Sequence, residues 1–119
     1  GDGSPIRDFI HAEDIAMGML IIAEKNPNQP VNLGSGAGVT IRELVETIVS
    51  VLNTKPEIIW DKSKPNGDAK RILNTSRAKE LGFEPKIGLR QGIKDTIEWY
   101  GSHMNETGKR YDIFNNAHN

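Results

Sequence analysis

Val31-Asn32-Leu33-Gly34-Ser35-Gly36-Ala37-Gly38-Val39-Thr40-Ile41-Arg42-Glu43 holds the signals of a strand, a turn and a helix in one short run. Val31-Asn32-Leu33 reads as a short buried strand. The three alternating glycines read as a tight turn, because glycine enters backbone regions closed to other residues. Thr40-x-x-Glu43 has the form of a capping box, in which side chain and backbone satisfy each other's free groups at a helix start. From there Ile41, Leu44, Val45, Ile48, Val49 and Leu52 recur on one broad helical face. A strand feeding a turn and then an amphipathic helix is half of an α/β unit.

The flanks repeat the theme. Upstream, Arg7-Asp8-Phe9-Ile10-His11 alternates polar and apolar like a half-buried strand. The spacing of Ile15, Met19 and Ile22 predicts a helix over residues 13–25, stopped by Asn26-Pro27-Asn28-Gln29-Pro30. Downstream, residues 57–61 read as the next strand, Pro65-Asn66-Gly67 as a turn and Arg71-Ile72-Leu73 as another short strand. A short helix over 76–81 ends at Gly82, and Leu89, Ile93 and Ile97 mark a last helix to Tyr100. The expected fold class is α/β, with short strands alternating with about four helices. Residues 101–119 have no clear period and read as a tail. Gly101-Ser102-His103-Met104 within it resembles the scar of a tag-cleavage site, so His103 and His118 carry no functional weight.

Composition narrows the function. The net charge of −1 supplies no global field towards nucleic acid or an anionic membrane. The absence of cysteine excludes disulfides and thiolate metal sites and fits a reducing cytoplasm, taken as the location. The longest apolar stretch falls short of the roughly 20 residues a bilayer requires. Charge is nonetheless uneven: residues 1–61 and 95–119 are acidic and residues 62–94 are basic. Either that basic segment attracts an anion or it is a solvated surface.

Several chemistries lack their residues. The third glycine of Gly34-x-Gly36-x-Gly38 comes one position too early for a dinucleotide fingerprint, so the run is read as a strand–turn–helix junction. His11, Glu13 and Asp14 lack a second histidine at metal-ligand spacing, so no metal is expected. No Gly-x-Ser-x-Gly elbow surrounds a serine. The basic residues are the remaining candidates. Arg7 opens a strand after a Gly/Pro turn, and Lys70 and Arg71 follow a second turn. Guanidinium forks hold phosphate oxygens in pairs, and an ammonium adds a point charge. The competing reading pairs Arg7 with Asp8 or Asp14 and leaves Lys70 and Arg71 in water.

The run Arg7-Asp8-Phe9-Ile10-His11-Ala12-Glu13-Asp14-Ile15-Ala16 resembles a segment of the extended short-chain dehydrogenases that act on nucleotide sugars, the NAD-dependent epimerases and dehydratases. Val31-Asn32-Leu33-Gly34-Ser35-Gly36 resembles their strand and turn. Residues 65–85, from Pro65-Asn66-Gly67-Asp68 through Leu81-Gly82-Phe83, resemble their carboxy-terminal signature, and Gly92-Ile93-x-x-Thr96-Ile97-x-Trp99-Tyr100 their final helix. Ser63-Lys64-Pro65-x-Gly67 and the single Leu before Gly82 look most like the GDP-L-fucose synthase branch. Asn74 departs from the family's usual Asp.

The resemblance implies that residues 1–100 are the carboxy-terminal substrate-binding portion of a Rossmann-type enzyme. Its partner is a nucleotide-diphosphate sugar, with Arg7 and Arg71 near the diphosphate and Lys70 beside them. It also implies NAD or NADP in the intact enzyme, bound by an amino-terminal Rossmann portion missing here; none is expected on this segment. The family's catalytic Tyr-x-x-x-Lys is absent, since Tyr100 precedes Met104 and Tyr111 precedes Asn115 at that spacing. No catalytic residue is therefore assigned. Separated from its partner portion, the segment is expected to expose apolar surface and self-associate, without nucleic-acid or membrane partners. The alternative is a free-standing, non-catalytic nucleotide-binding or assembly module derived from the family.

Overall fold

The computed structural model describes residues 1–103. Its elements in order are β1 (Ile6–Asp8), α1 (Ala12–Lys25), β2 (Gly38–Thr40), α2 (Ile41–Val51), β3 (Lys70–Arg71), α3 (Ser76–Glu80) and α4 (Leu89–His103). The three strands form one sheet in the order β2-β1-β3, with β1 antiparallel to β2 and parallel to β3.

Local chemistry sets most element ends. His11 caps α1, its Nδ1 accepting from the Glu13 amide at 3.3 Å. The helix thus begins one residue before the expected start. It closes at Asn26, whose left-handed backbone (φ 46°) lets its N–H reach the carbonyls of Ile22 and Ala23. The capping box of α2 is complete: Thr40 Oγ1 accepts from the Glu43 amide at 3.0 Å, and Glu43 Oε2 accepts from the Thr40 amide at 2.7 Å. Gly82, at φ 93°, turns the chain out of α3 as expected. Helix α4 runs past Tyr100 to His103, whose ring stacks on Trp99 at 4.7 Å. The remainder of the expected tail, Met104 and His118 included, lies outside the described residues.

Two expected strands are absent. Residues 31–33 and 57–61 form no ladder, and Ile59 is 82% exposed. A strand exists only against a partner, and no described segment pairs with either run. The strand expected at Arg71-Ile72-Leu73 is instead Lys70–Arg71, and that expected over residues 7–11 is Ile6–Asp8. Strand β2 went unread because its three residues lie between the glycine turn and the helix cap.

The most buried side chains lie on and around α1 and α3. Ala78 and Phe83 are the buried hydrophobic residues, and Gly18 on α1 lets the Phe83 ring and Leu33 approach where a side chain would stand. Asp14, also buried, reaches across from α1 to accept from the amides of Lys86 (3.0 Å) and Ile87 (2.9 Å). Helix α2 packs on α4, where Arg90 donates to Ser50 Oγ. Apolar residues left in the open include Met17, Met19 and Leu20 on α1 and Trp99 and Tyr100 on α4. No described helix is long and apolar enough to cross a membrane.

Candidate functional site

The central strand β1 receives a basic strand on one side. In the parallel pairing of β1 with β3, Ile6 aligns with Lys70 and Arg7 with Arg71. Aligned residues of neighbouring strands share a face of the sheet, so Arg7 and Arg71 project to the same side. The pleat directs Lys70 to the opposite face. Two runs some sixty residues apart thus place two arginines on one face of the sheet, while Lys70 stands next to Arg71 in sequence but not on its face.

Arg7 is half-buried and fixed. Its Nη1 donates to its neighbour's carbonyl, Ile6 O, at 2.8 Å and to Asp68 O at 2.9 Å. Arg71 is exposed, and its Nη2 meets Asp68 Oδ2 at 2.5 Å. Asp68 therefore faces both arginines, one through its carbonyl and one through its carboxylate. It stands just beyond the turn at Gly67, whose φ of 71° suits glycine. The Arg71–Asp68 pair is more than half exposed on both sides, and such pairs contribute about 0–1 kcal/mol.

The pairing of Arg7 with Asp8 or Asp14 does not occur. Asp14 is occupied by the amides of Lys86 and Ile87. Asp8 points to the face of β1 opposite Arg7 and holds the glycine turn. Its Oδ1 accepts from the Ser35 amide at 2.9 Å and from Ser35 Oγ at 2.5 Å, and its Oδ2 accepts from the Gly36 amide at 3.1 Å. The neighbouring Gly34 must lack a side chain, because a Cβ there would come within 2.8 Å of Asp8 Oδ2. This clamp escaped the sequence reading. Its only trace was an acid on one short strand and a Gly-Ser-Gly turn following a helix, with nothing in the spacing to join them.

The clamp also decides what the glycine turn can hold. Its two inward amides already bind a carboxylate, so the turn offers no cradle for a dinucleotide pyrophosphate. Among the described residues no three His, Asp or Glu side chains converge for a metal.

Three cavities flank the sheet. The largest, about 460 Å³, is lined by apolar groups including Phe9, Leu44, Ile48 and Ile97, with His11 and Thr96 at its wall. A second of about 280 Å³ adjoins Phe9, Val39 and Lys86, and a third of about 290 Å³ adjoins Ile59, Trp60 and Asn66. None of the three is lined by Arg7, Lys70 or Arg71; Arg71 is exposed and Arg7 half-buried. Beside the third cavity, Arg42 rests 4.5 Å above the Trp60 ring and donates to Asp2 O.

This arrangement is similar to part of UDP-glucose 4-epimerase from Thermotoga maritima, solved with UDP-glucose. The TM-score is 0.77 at 33% identity, covering 87% of this chain and 34% of that one. The fold is thus the Rossmann-like α/β type of the extended short-chain dehydrogenases. Residues 1–96 match the family described as GDP-mannose 4,6 dehydratase, and the chain belongs to that family of nucleotide-sugar epimerases and dehydratases. Among curated relatives, GDP-L-fucose synthase 1 of Arabidopsis thaliana is 38% identical over 101 residues, covering 84% of this chain and 31% of the relative. GDP-L-fucose synthase of Escherichia coli K12 is 34% identical over 110 residues, covering 84% and 34%. The chain spans about a third of the length of the relatives it matches.

Proposed function

We propose that this chain is the nucleotide-diphosphate-sugar-binding, carboxy-terminal portion of an NAD(P)-dependent sugar epimerase/reductase of the GDP-L-fucose synthase type, working in the cytoplasm. Arg7 and Arg71 hold the diphosphate, and Lys70, on the other face of β3, contributes only charge at longer range. The observation that supports this most is the register that aligns Arg7 with Arg71 across two strands. A diphosphate presents several anionic oxygens, and two guanidinium forks on one face can each take a pair. Both hydrogen bonds described for Arg7 use Nη1, so among the described residues Nη2 and Nε stay available. The incoming anion takes the place of the Asp68 carboxylate on Arg71, an exchange opposed by about 1 kcal/mol at most. Fixing the diphosphate fixes the sugar attached to it, which is how such a site places a reacting carbon. Hydride transfer belongs to NAD(P), held by a Rossmann portion of the family-length protein beyond this chain.

Calorimetric titration with GDP- and UDP-sugars tests the reading. Wild-type chain binds, and the Arg7→Ala/Arg71→Ala variant loses about 10- to 100-fold in affinity, as expected for charge-assisted hydrogen bonds. Equal affinities, or binding of no sugar nucleotide by the wild type, would remove the assignment. The second reading, an assembly module without catalysis, draws on the open apolar side chains of α1. The upstream coding sequence separates the two: a glycine-rich βαβ unit in frame supports the enzyme, and a start codon beside Gly1 supports the module.

A further inference from the structure

We infer that Asp8 is the positioning residue of the arginine pair: by clamping the Ser35–Gly36 turn on one face of β1 it holds Arg7 in register with Arg71 on the other. The inference rests on the diphosphate reading above and deepens it.

Strand β1 carries the whole arrangement and is only three residues long, between neighbours of three and two. Isolated ladders of this size are marginal in water, so backbone pairing alone does not fix the strand. Asp8 is the end of β1 and its register partner on β2 is Gly38. Its backbone thus aligns with the residue just after the glycine turn, while its carboxylate accepts three hydrogen bonds from Ser35 and Gly36 within that turn. The φ of 68° at Gly36 is part of the turn geometry that brings both amides to one acceptor. The peptide that follows Pro5 is tied to the other neighbour, with the Ile6 amide donating to Ala69 O at 2.9 Å. Strand β1 is therefore held at one end by Asp8 and at the other by Ile6, with Arg7 between them. Loosening the Asp8 end frees β1 to shift, and the Arg7 and Arg71 forks then part.

Asp8→Asn keeps the size of the side chain but turns one acceptor into a donor, so it can no longer receive both amides. Asp8→Glu retains the carboxylate on a longer stem. The control for ordinary destabilisation is Asp14→Asn, which weakens a comparable carboxylate-to-amide clamp on α1 that involves neither arginine.

Two readouts are taken on five proteins, the wild type, Asp8→Asn, Asp8→Glu, Asp14→Asn and Arg7→Ala: calorimetric affinity for GDP, corrected for the folded fraction, and amide hydrogen exchange by NMR. Asp8→Asn is expected to weaken GDP binding about tenfold and to speed exchange at Ile6 as well as at Ser35 and Gly36. Asp8→Glu recovers part of both, and Asp14→Asn moves neither although it lowers thermal stability. If Arg7→Ala weakens GDP binding while Asp8→Asn leaves both affinity and Ile6 exchange unchanged, the positioning role is wrong and the diphosphate site stands. If Arg7→Ala has no effect on binding, the site reading itself fails. Should Asp8→Asn not fold, Ser35→Ala removes one of the three bonds. A partial loss of affinity with faster Ile6 exchange then supports the role, and an unchanged Ile6 overturns it.

Discussion

Replacing Asp14 by alanine should cost this chain more stability than any surface change. Asp14 is 6% exposed, and its two carboxylate oxygens accept from the Lys86 amide at 3.0 Å and the Ile87 amide at 2.9 Å. It is the direct polar tie between α1 and the segment that leads into α4. Truncation leaves two part-buried N–H groups without their acceptor, each costing about 1–3 kcal/mol. One term opposes the loss: alanine favours a helix interior over aspartate by a few tenths of a kcal/mol. The net expectation is a loss of about 2–5 kcal/mol, a large share of the 5–15 kcal/mol typical of whole domains. Urea unfolding followed by circular dichroism measures it, with a lower midpoint at unchanged slope as the signature. The exposed neighbour Glu13 is the control, since Glu13→Gln removes only a helix-dipole interaction of about 0.3–1 kcal/mol. A midpoint shift for Asp14→Ala no larger than that of Glu13→Gln would refute the view that this carboxylate joins the two helices.

The helix cap of α2 gives a pH-dependent counterpart. The Thr40 amide and hydroxyl hydrogen-bonded to Glu43 hold its carboxyl below the usual range, so its contribution is present at neutral pH and is lost as pH falls through that lowered value. Thr40→Ala keeps the amide and should lessen this acid sensitivity while costing about 1 kcal/mol at pH 7, whereas Glu43→Gln should remove the sensitivity, read from paired urea titrations at neutral and acid pH. Gly18→Ala sets about 1 kcal/mol of helix propensity against a Cβ placed 2.8 Å from the Phe83 ring. Overpacking of about 1–3 kcal/mol should win, and a raised melting temperature would mean that the ring retreats. The open side chains of α1 should drive self-association, so Met19→Gln/Leu20→Gln is expected to lower the sedimentation-average mass. A wild-type monomer with cooperative unfolding would contradict this.

Helices were legible in the sequence because their signals are local. The capping box at Thr40 and Glu43, the stop at Asn26 and the glycine after α3 each act through groups within a few residues. Strands were not, because a strand's existence is a property of two segments. Val31-Asn32-Leu33 has the composition of a strand and no ladder partner, while Lys70–Arg71 has a poor composition and gains its structure from β1. The same distinction divides the site. The arginines could be singled out from residue type and turn context, yet only the register aligns Arg7 with Arg71 and turns Lys70 away. Asp8 and Asp14 are candidate partners for Arg7 in the sequence, and both are acceptors for backbone amides far away in the chain. Carboxylates used in this way organise the backbone that carries the cations instead of neutralising them. That leaves Arg7 held by carbonyl oxygens, which fix its position while its full charge remains available to an anion.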